Sequence, residues 1–370
     1  MNVHAAKPEI LGLTGIRGIA ALMVVLYHFH PLFVTLIPAW QVFAPVGKVG
    51  LLGVDVFFVL SGLILCHVYD ADTRSHSVFA HLRFLWLRLA RIYPNHVATL
   101  AAMAVVLGGA SLAGTTLGGN YPVDQLHSHL AMTHAWVRSP GQEWNYPSWS
   151  ISTEWFAYVY LFPLAVAWLH LRVPGWVHLA IALYLTQSWL YIANGGWPRD
   201  LFPILRILCG FWAGVSLYGV WKRTPRVAAW CQRHATALLL AFLATVLVLP
   251  AFLARAPDLM MIVMPLLLLG LTADGTRAAR WLGSRPMLWL GRVSYALYLT
   301  HAVIERLLEW WLPAAAFATA PLAARVGLVA LYWVLLLGSA DLLYRFVEEP
   351  ARVWMRNLRP RRDRLGEVRP

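Results

Sequence analysis

The stretch LTGIRGIAALMVVLYHFH, residues 13–30, is apolar enough for a membrane span, yet it carries Arg17 and His28. An arginine near a bilayer centre costs about 3 kcal/mol on insertion scales, so ionisable groups at that depth face a bundle interior or a wet cavity. The two side chains are eleven positions apart. At 100° per residue that separation comes to about 1100°, about 20° past three full turns, so both lie on one face about 16 Å apart along the axis. A helix with a single polar stripe on an apolar body belongs inside a bundle of other helices.

The rest of the chain agrees. Hydrophobic residues make up 59% of its 370 positions and charged residues 13%, a balance too apolar for a hydrated surface. The expected fold is all-α and polytopic, with about ten transmembrane helices in one bundle. The segments fall at about 10–30, 49–69, 93–113, 148–171, 175–193, 201–220, 235–253, 259–272, 287–311 and 322–347. The leading MNVHAAKPE lacks the features of a cleavable signal peptide, so insertion is expected to begin with the first helix. With the N-terminus inside, 20 Lys and Arg residues fall in cytoplasmic segments, against Lys48, Arg138, Arg199 and Arg255 outside. That asymmetry predicts both termini in the cytoplasm. It also accounts for most of the net charge of +13 without nucleic acid. Residues 1–350 read as the transmembrane domain and 351–370 as a basic cytoplasmic tail, most simply an anchor to anionic lipid. Cys66, Cys209 and Cys231 have no paired spacing, so no disulfide or zinc site is expected.

Depth along alternating helices sorts the buried polar groups. His28, Asp55, Glu154, Glu305 and Glu309 belong to the outer half. Arg17 lies about two turns in from the cytoplasm, and Arg83, Arg88 and Arg91 reach the inner surface. A cationic inner half suits an anionic donor, because the guanidinium fork holds phosphate through paired hydrogen bonds. In the outer half, His28 beside Asp55 or Glu154 would form a base with a carboxylate to orient it. Plainer readings compete: a packing histidine, an Asp55 that only neutralises Arg17, and arginines that only mark topology. His127, His129 and His134 read as part of a solvated outer loop rather than a metal site, since no carboxylate or cysteine completes a set. Trp149 and its neighbours suit an aromatic belt or a sugar-binding mouth.

Several stretches together resemble acyltransferase family 3, the membrane acyltransferases of bacterial surface glycans. They are LTGIRGIAALMVVLYHF (13–29), GVDVFFVLSGLIL (53–65), RLARIYP (88–94), PSWSISTEWFAYVYLFP (147–163), LGRVSYALYLTH (290–301) and VEEPARVW (347–354). Thr14 stands where the family usually has an aspartate, and the esterase-like domain that some members append does not appear. The resemblance implies transfer of an acyl group, most often acetyl, from cytoplasmic acyl-CoA to a glycan hydroxyl on a surface polysaccharide, lipid-linked oligosaccharide or similar acceptor. It implies acetyl-CoA as co-substrate with no permanently bound cofactor and no metal. The site it implies has His28, Arg17, Asp55 and Glu154 as catalytic residues and Arg88, Arg91, Arg83 and Ser61 toward acyl-CoA, with His301, Tyr295 and Trp149 as additional candidates. Its expected place is the bacterial inner membrane. The rival reading is a non-enzymatic transporter or flippase, since charged groups inside a bundle also mark substrate pathways.

Overall fold

Helix α1, Leu11–Leu36, is apolar on two opposite faces and packs into two separate cores. Ile16, Ala20, Met23 and Val24 join the larger core, whereas Ala21, Val25, Phe29, Phe33 and Leu36 join the smaller. The computed structural model describes residues 9–69, 78–119, 121–137, 143–171, 173–194 and 202–358, side chains of 189–194 excepted. Lys7, Arg74, Arg138, Arg172, Arg199 and the tail beyond 358, which contributed to the charge asymmetry, lie outside the described residues.

Every element among the described residues is helical. After α1 come α2 (Gly53–Val68), α3 (Val78–Leu112) and α4. The last is a run over 149–170 made of Trp149–Phe156, a π-turn at Ala157–Leu161, and Phe162–His170. Then follow α5 (Gly175–Asn194), α6 (Phe202–Arg223), α7 (Pro225–Arg233), α8 (Ala235–Leu247) and α9 (Ala256–Gly270). Helix α10 (Arg285–Trp311) precedes α11 (Leu322–Leu343), which runs through a second π-turn, Tyr344–Glu348, into α12 (Glu349–Asn357).

Each expected segment contains helix, but among the described residues length and apolarity alone qualify five helices to cross a membrane, or six if α7 and α8, bent by 69°, count as one span. The chain is thus a multi-pass helical membrane protein. Helix α9 falls short at 15 residues. Helix α10 is 27 residues long, but it carries Arg292, Glu305, Arg306 and Glu309. Their presence follows from its position: α10 lies along α1 and turns His301 and Arg306, both buried, into the bundle.

Helix α2 packs on α6 at a crossing that requires glycine. A Cβ on Gly62 would collide with the Phe211 carbonyl, and one on Gly214 with the Val59 carbonyl, so the two backbones approach more closely than side chains allow. The same helix pair carries a buried ion pair. Arg206 Nε donates to Asp55 Oδ1 at 3.0 Å, and its Nη2 donates to Oδ2 at 2.7 Å and to the Leu51 carbonyl at 2.8 Å. The Asp55 and Arg206 side chains are 1% and 6% exposed, so each neutralises a charge that the interior would otherwise not tolerate.

Asp55→Ala leaves Arg206 charged, buried and unpaired, and is expected to cost about 3–5 kcal/mol. The double variant Asp55→Leu with Arg206→Met should be markedly less damaged. Thermal unfolding of detergent-purified protein checks both. A single variant as stable as the parent would remove the pair from the packing account.

Candidate active site

Arg17, on α1, projects into a cavity of about 840 Å³ of empty space, its mouth included. Val54, Phe57, Phe58 and Ser61 of α2 supply one wall. Arg88 and Arg91 of α3, Ser150, Glu154 and Tyr158 of α4, and Tyr295 and Tyr298 of α10 supply the rest. The walls are mostly apolar and aromatic, and the cations gather at one end. There the cavity adjoins a larger space of about 1530 Å³ that shares Arg17, Arg88 and Arg91 with it.

The three arginines are held differently. Arg91 Nη1 lies 2.6 Å from Glu348 Oε1, and Asn95 Nδ2 donates to the other carboxylate oxygen at 2.6 Å. Glu348 ends a π-turn, a distortion that often marks functional positions in helices. Arg88 donates to the Tyr69 hydroxyl at 3.3 Å and stacks over that ring at 5.6 Å. Arg17 makes no hydrogen bond among the described residues, although it stands within electrostatic reach of Arg91, Glu348 and Glu154. A guanidinium with open donors at the neck of a cavity is a ready anion site. Arg83 lies further out, on the rim of the larger space.

Glu154, just before the other π-turn, accepts from Ser61 Oγ at 3.2 Å and from the Tyr158 hydroxyl at 2.5 Å. It therefore belongs to the inner cavity and the Arg17 end. Tyr295 donates to the Ile92 carbonyl at 2.6 Å and fixes α10 to α3 beside the neck. Trp149 lies with its ring 5.4 Å from the Arg206 guanidinium.

His28 lies elsewhere, beyond the far end of the cavity. Its ring centroid is 4.9 Å from Tyr146 and 5.2 Å from His301, itself fully buried. Both His301 ring nitrogens lack a hydrogen bond of good geometry. The carboxylate of this cluster is Glu305, which accepts from the Tyr146 hydroxyl at 2.8 Å. Burial, and after it the Glu305 charge, push that hydroxyl well above the usual tyrosine value, so at neutral pH it remains a donor. Two features hold Tyr146 in place. Trp144 adopts the left-handed backbone conformation, φ 44°, which turns the chain inward. Asn145, fully buried, then donates to Thr99 Oγ1 at 2.9 Å and to the Leu299 carbonyl at 3.2 Å.

The expectation that Asp55 or Glu154 orients His28 is therefore corrected. Asp55 is committed to Arg206 and Glu154 to Ser61 and Tyr158, and His28 meets Tyr146, His301 and, through Tyr146, Glu305. The stripe from Arg17 to His28 is also interrupted. Tyr298 lines the inner cavity, donates to the Pro147 carbonyl at 3.0 Å and accepts from Ser150 Oγ at 2.8 Å, and its ring lies 5.8 Å from His301. It thus stands between the cavity and the His28 cluster. The outer loop also departs from expectation. His129 and His134 are 1% and 3% exposed and stack at 4.0 Å, beneath a loop that folds back so that the His129 carbonyl meets His96 at 2.7 Å. His127 remains exposed.

Sequence comparison identifies the family. The profile of the family described as an acyltransferase domain matches residues 10–344. The chain belongs to acyltransferase family 3. It is 30% identical to the acyltransferase MdmB of Streptomyces mycarofaciens, over 80% of this chain and 78% of that protein. It is 28% identical to BcsY of Komagataeibacter xylinus, named as a membrane-bound transacylase, over 78% and 70% respectively. Proteins of Staphylococcus aureus named as O-acetyltransferases are 25% identical over more than nine-tenths of this chain, which spans 57% of their length. No solved structure matches the chain. Family 3 membership makes the chain an O-acyltransferase and removes the transporter reading.

Tyr146→Phe keeps the ring beside His28 but leaves the half-buried Glu305 without its tyrosine donor. It should cost about 1–3 kcal/mol of stability. Adding Glu305→Leu should recover part of that loss in the same unfolding assay. No change on the first substitution would mean that Glu305 finds another partner at no cost.

Proposed function

We propose that this enzyme moves an acyl group, acetyl foremost, from cytoplasmic acyl-CoA to a hydroxyl of a glycan presented toward the opposite face. The observation that carries the reading is the paired cavity, which narrows from a basic mouth past Arg17, Arg88 and Arg91 into an apolar chamber ending below His28 and His301. A CoA thioester has matching parts: phosphates for the arginines, and a slender pantetheine arm for the chamber. In this reading the basic face and both termini are cytoplasmic, in the inner membrane of a bacterium.

With the arm extended, the thioester carbonyl rests against Ser150 and Tyr298 at the chamber floor. Withdrawal of the Tyr298 ring opens the path to His28. The acceptor hydroxyl meets His28 from the other side, near Tyr146, Glu305 and Glu309, a set of donors, carboxylates and an aromatic face suited to a polyol. As the hydroxyl oxygen attacks the carbonyl carbon, His28 takes its proton. The C–O bond forms, the C–S bond breaks, and His28 returns the proton to the departing thiolate, leaving an ester and free CoA. The His301 ring packs beside His28 with 5.2 Å between centroids and shields it from the bundle. Arg17, about 16 Å from His28 along the helix, serves the donor's phosphate or pantetheine end and does not act as oxyanion partner. The O-acetyltransferase names of the staphylococcal relatives support acetyl as the group moved.

His28→Ala is expected to reduce transfer by about 10²–10⁴-fold, the usual range for a lost general base, while Arg88→Ala raises the KM for acetyl-CoA with less effect on the acceptor. Purified enzyme in detergent with radiolabelled acetyl-CoA and an oligosaccharide acceptor provides the assay. Full turnover by a folded His28→Ala protein would end this mechanism.

A further inference from the structure

The tail helix α12 was expected to begin a lipid anchor, but it forms part of a cavity wall. Trp86 Nε1 of α3 donates to the Met355 carbonyl at 2.9 Å, which docks α12 against α3. Arg352 and Arg356 are four residues apart, so they lie on one helix face. Both line the 1530 Å³ space, whereas Val353 and Trp354, between them in sequence, are 46% and 63% exposed on another face. Arg292 of α10 and Arg83 of α3 complete the rim.

This space carries far more positive than negative charge. Glu9 is its single lining carboxylate among the described residues, and it sits 3.4 Å from Arg292 with both side chains about half exposed. Arg352 pairs with Glu349, and Arg91 with Glu348. Arg17, Arg83, Arg88 and Arg356 have no carboxylate partner among the described residues. Like charges facing one another across a cavity repel, and a polyanion relieves that repulsion. Neck and rim are separate groups of cations, and the donor of the proposed reaction has separate phosphates: a pyrophosphate toward the pantetheine arm and a 3′-phosphate on the ribose.

We propose that Arg352 and Arg356, with Arg292, bind the 3′-phosphate at the nucleotide end of the donor, so that α12 is a wall of the donor site. The assignment rests on acyl-CoA as donor. Neck arginines hold the pyrophosphate, and rim arginines select for the additional phosphate. Anionic lipid headgroups offer the same phosphate chemistry, so the test separates the two sources.

Calorimetric titration of full-length protein in lipid-free detergent compares CoA with 3′-dephospho-CoA. The parent is expected to bind CoA about tenfold or more tightly than the dephospho form, as befits loss of charge-assisted hydrogen bonds to one phosphate. R352A/R356A should abolish that preference while retaining the parent's affinity for 3′-dephospho-CoA, which also shows that the variant is folded. R88A should weaken both ligands alike. If the double variant keeps the parent's preference for CoA, the proposal is overturned while the donor reading stands. The same holds if the double variant loses only its association with phosphatidylglycerol vesicles, because the rim would then serve lipid. If the parent binds neither nucleotide, both the donor reading and this proposal fall.

Discussion

The contact between Arg91 and Glu348, 2.6 Å long with the carboxylate almost sealed from solvent, ties α3 to the end of α11 and sets the charge of everything around it. A buried carboxylate with one oxygen on Arg91 and the other on Asn95 is held in one orientation. It therefore fixes Arg91 as a neutralised strut and leaves Arg17 and Arg88 with charge to offer a ligand. Tyr295, bonded across to the Ile92 carbonyl, keeps α10 at the distance this arrangement requires.

Around that strut the molecule separates two kinds of chemistry. Cations, a polar carboxylate clamp and apolar walls occupy one side, where a long anionic molecule can be gripped at its charged end and guided by shape beyond it. Paired imidazoles, a tyrosine hydroxyl and a carboxylate occupy the other, where proton movement is feasible. Helices α1 and α10 link the sides because both contribute residues to each apolar core, so the polar stripe of α1 runs along the seam between them.

The seam was legible in the sequence because helix periodicity alone fixes the angle between Arg17 and His28. The family was legible from motifs distributed along almost the full chain. Pairings across distant helices were not, since counting along a helix gives depth and approximate face but not the neighbour. Glu154 was read at the depth of His28, yet in the fold it meets Ser61 and Tyr158 at the Arg17 end of the cavity. Asp55 was read without Arg206, 151 positions later. The signal was available, because an arginine in the apolar run 201–220 needs a partner of opposite charge. Tyr146 gave less warning: what places it is the left-handed turn at Trp144 and the buried Asn145, a tertiary arrangement with no periodic trace. The burial of His129 and His134 was hidden for a similar reason, since a polar loop reads as solvated unless its folding back is known. The number of crossings is also underspecified, because α10 spends its hydropathy on groups that face inward.

The floor made by Tyr298 and Ser150 has a consequence for the cell as well as for the reaction. A continuous polar pathway from a basic vestibule on one face to a histidine pair toward the other would let protons run down their gradient whenever the enzyme stood idle. In the proposed mechanism one phenol ring, donating to the Pro147 carbonyl and accepting from Ser150, would keep that path closed at rest. On the proposed reading the enzyme would work as an airlock, its two chambers communicating only while an acyl chain fills the passage and leaves no room for water.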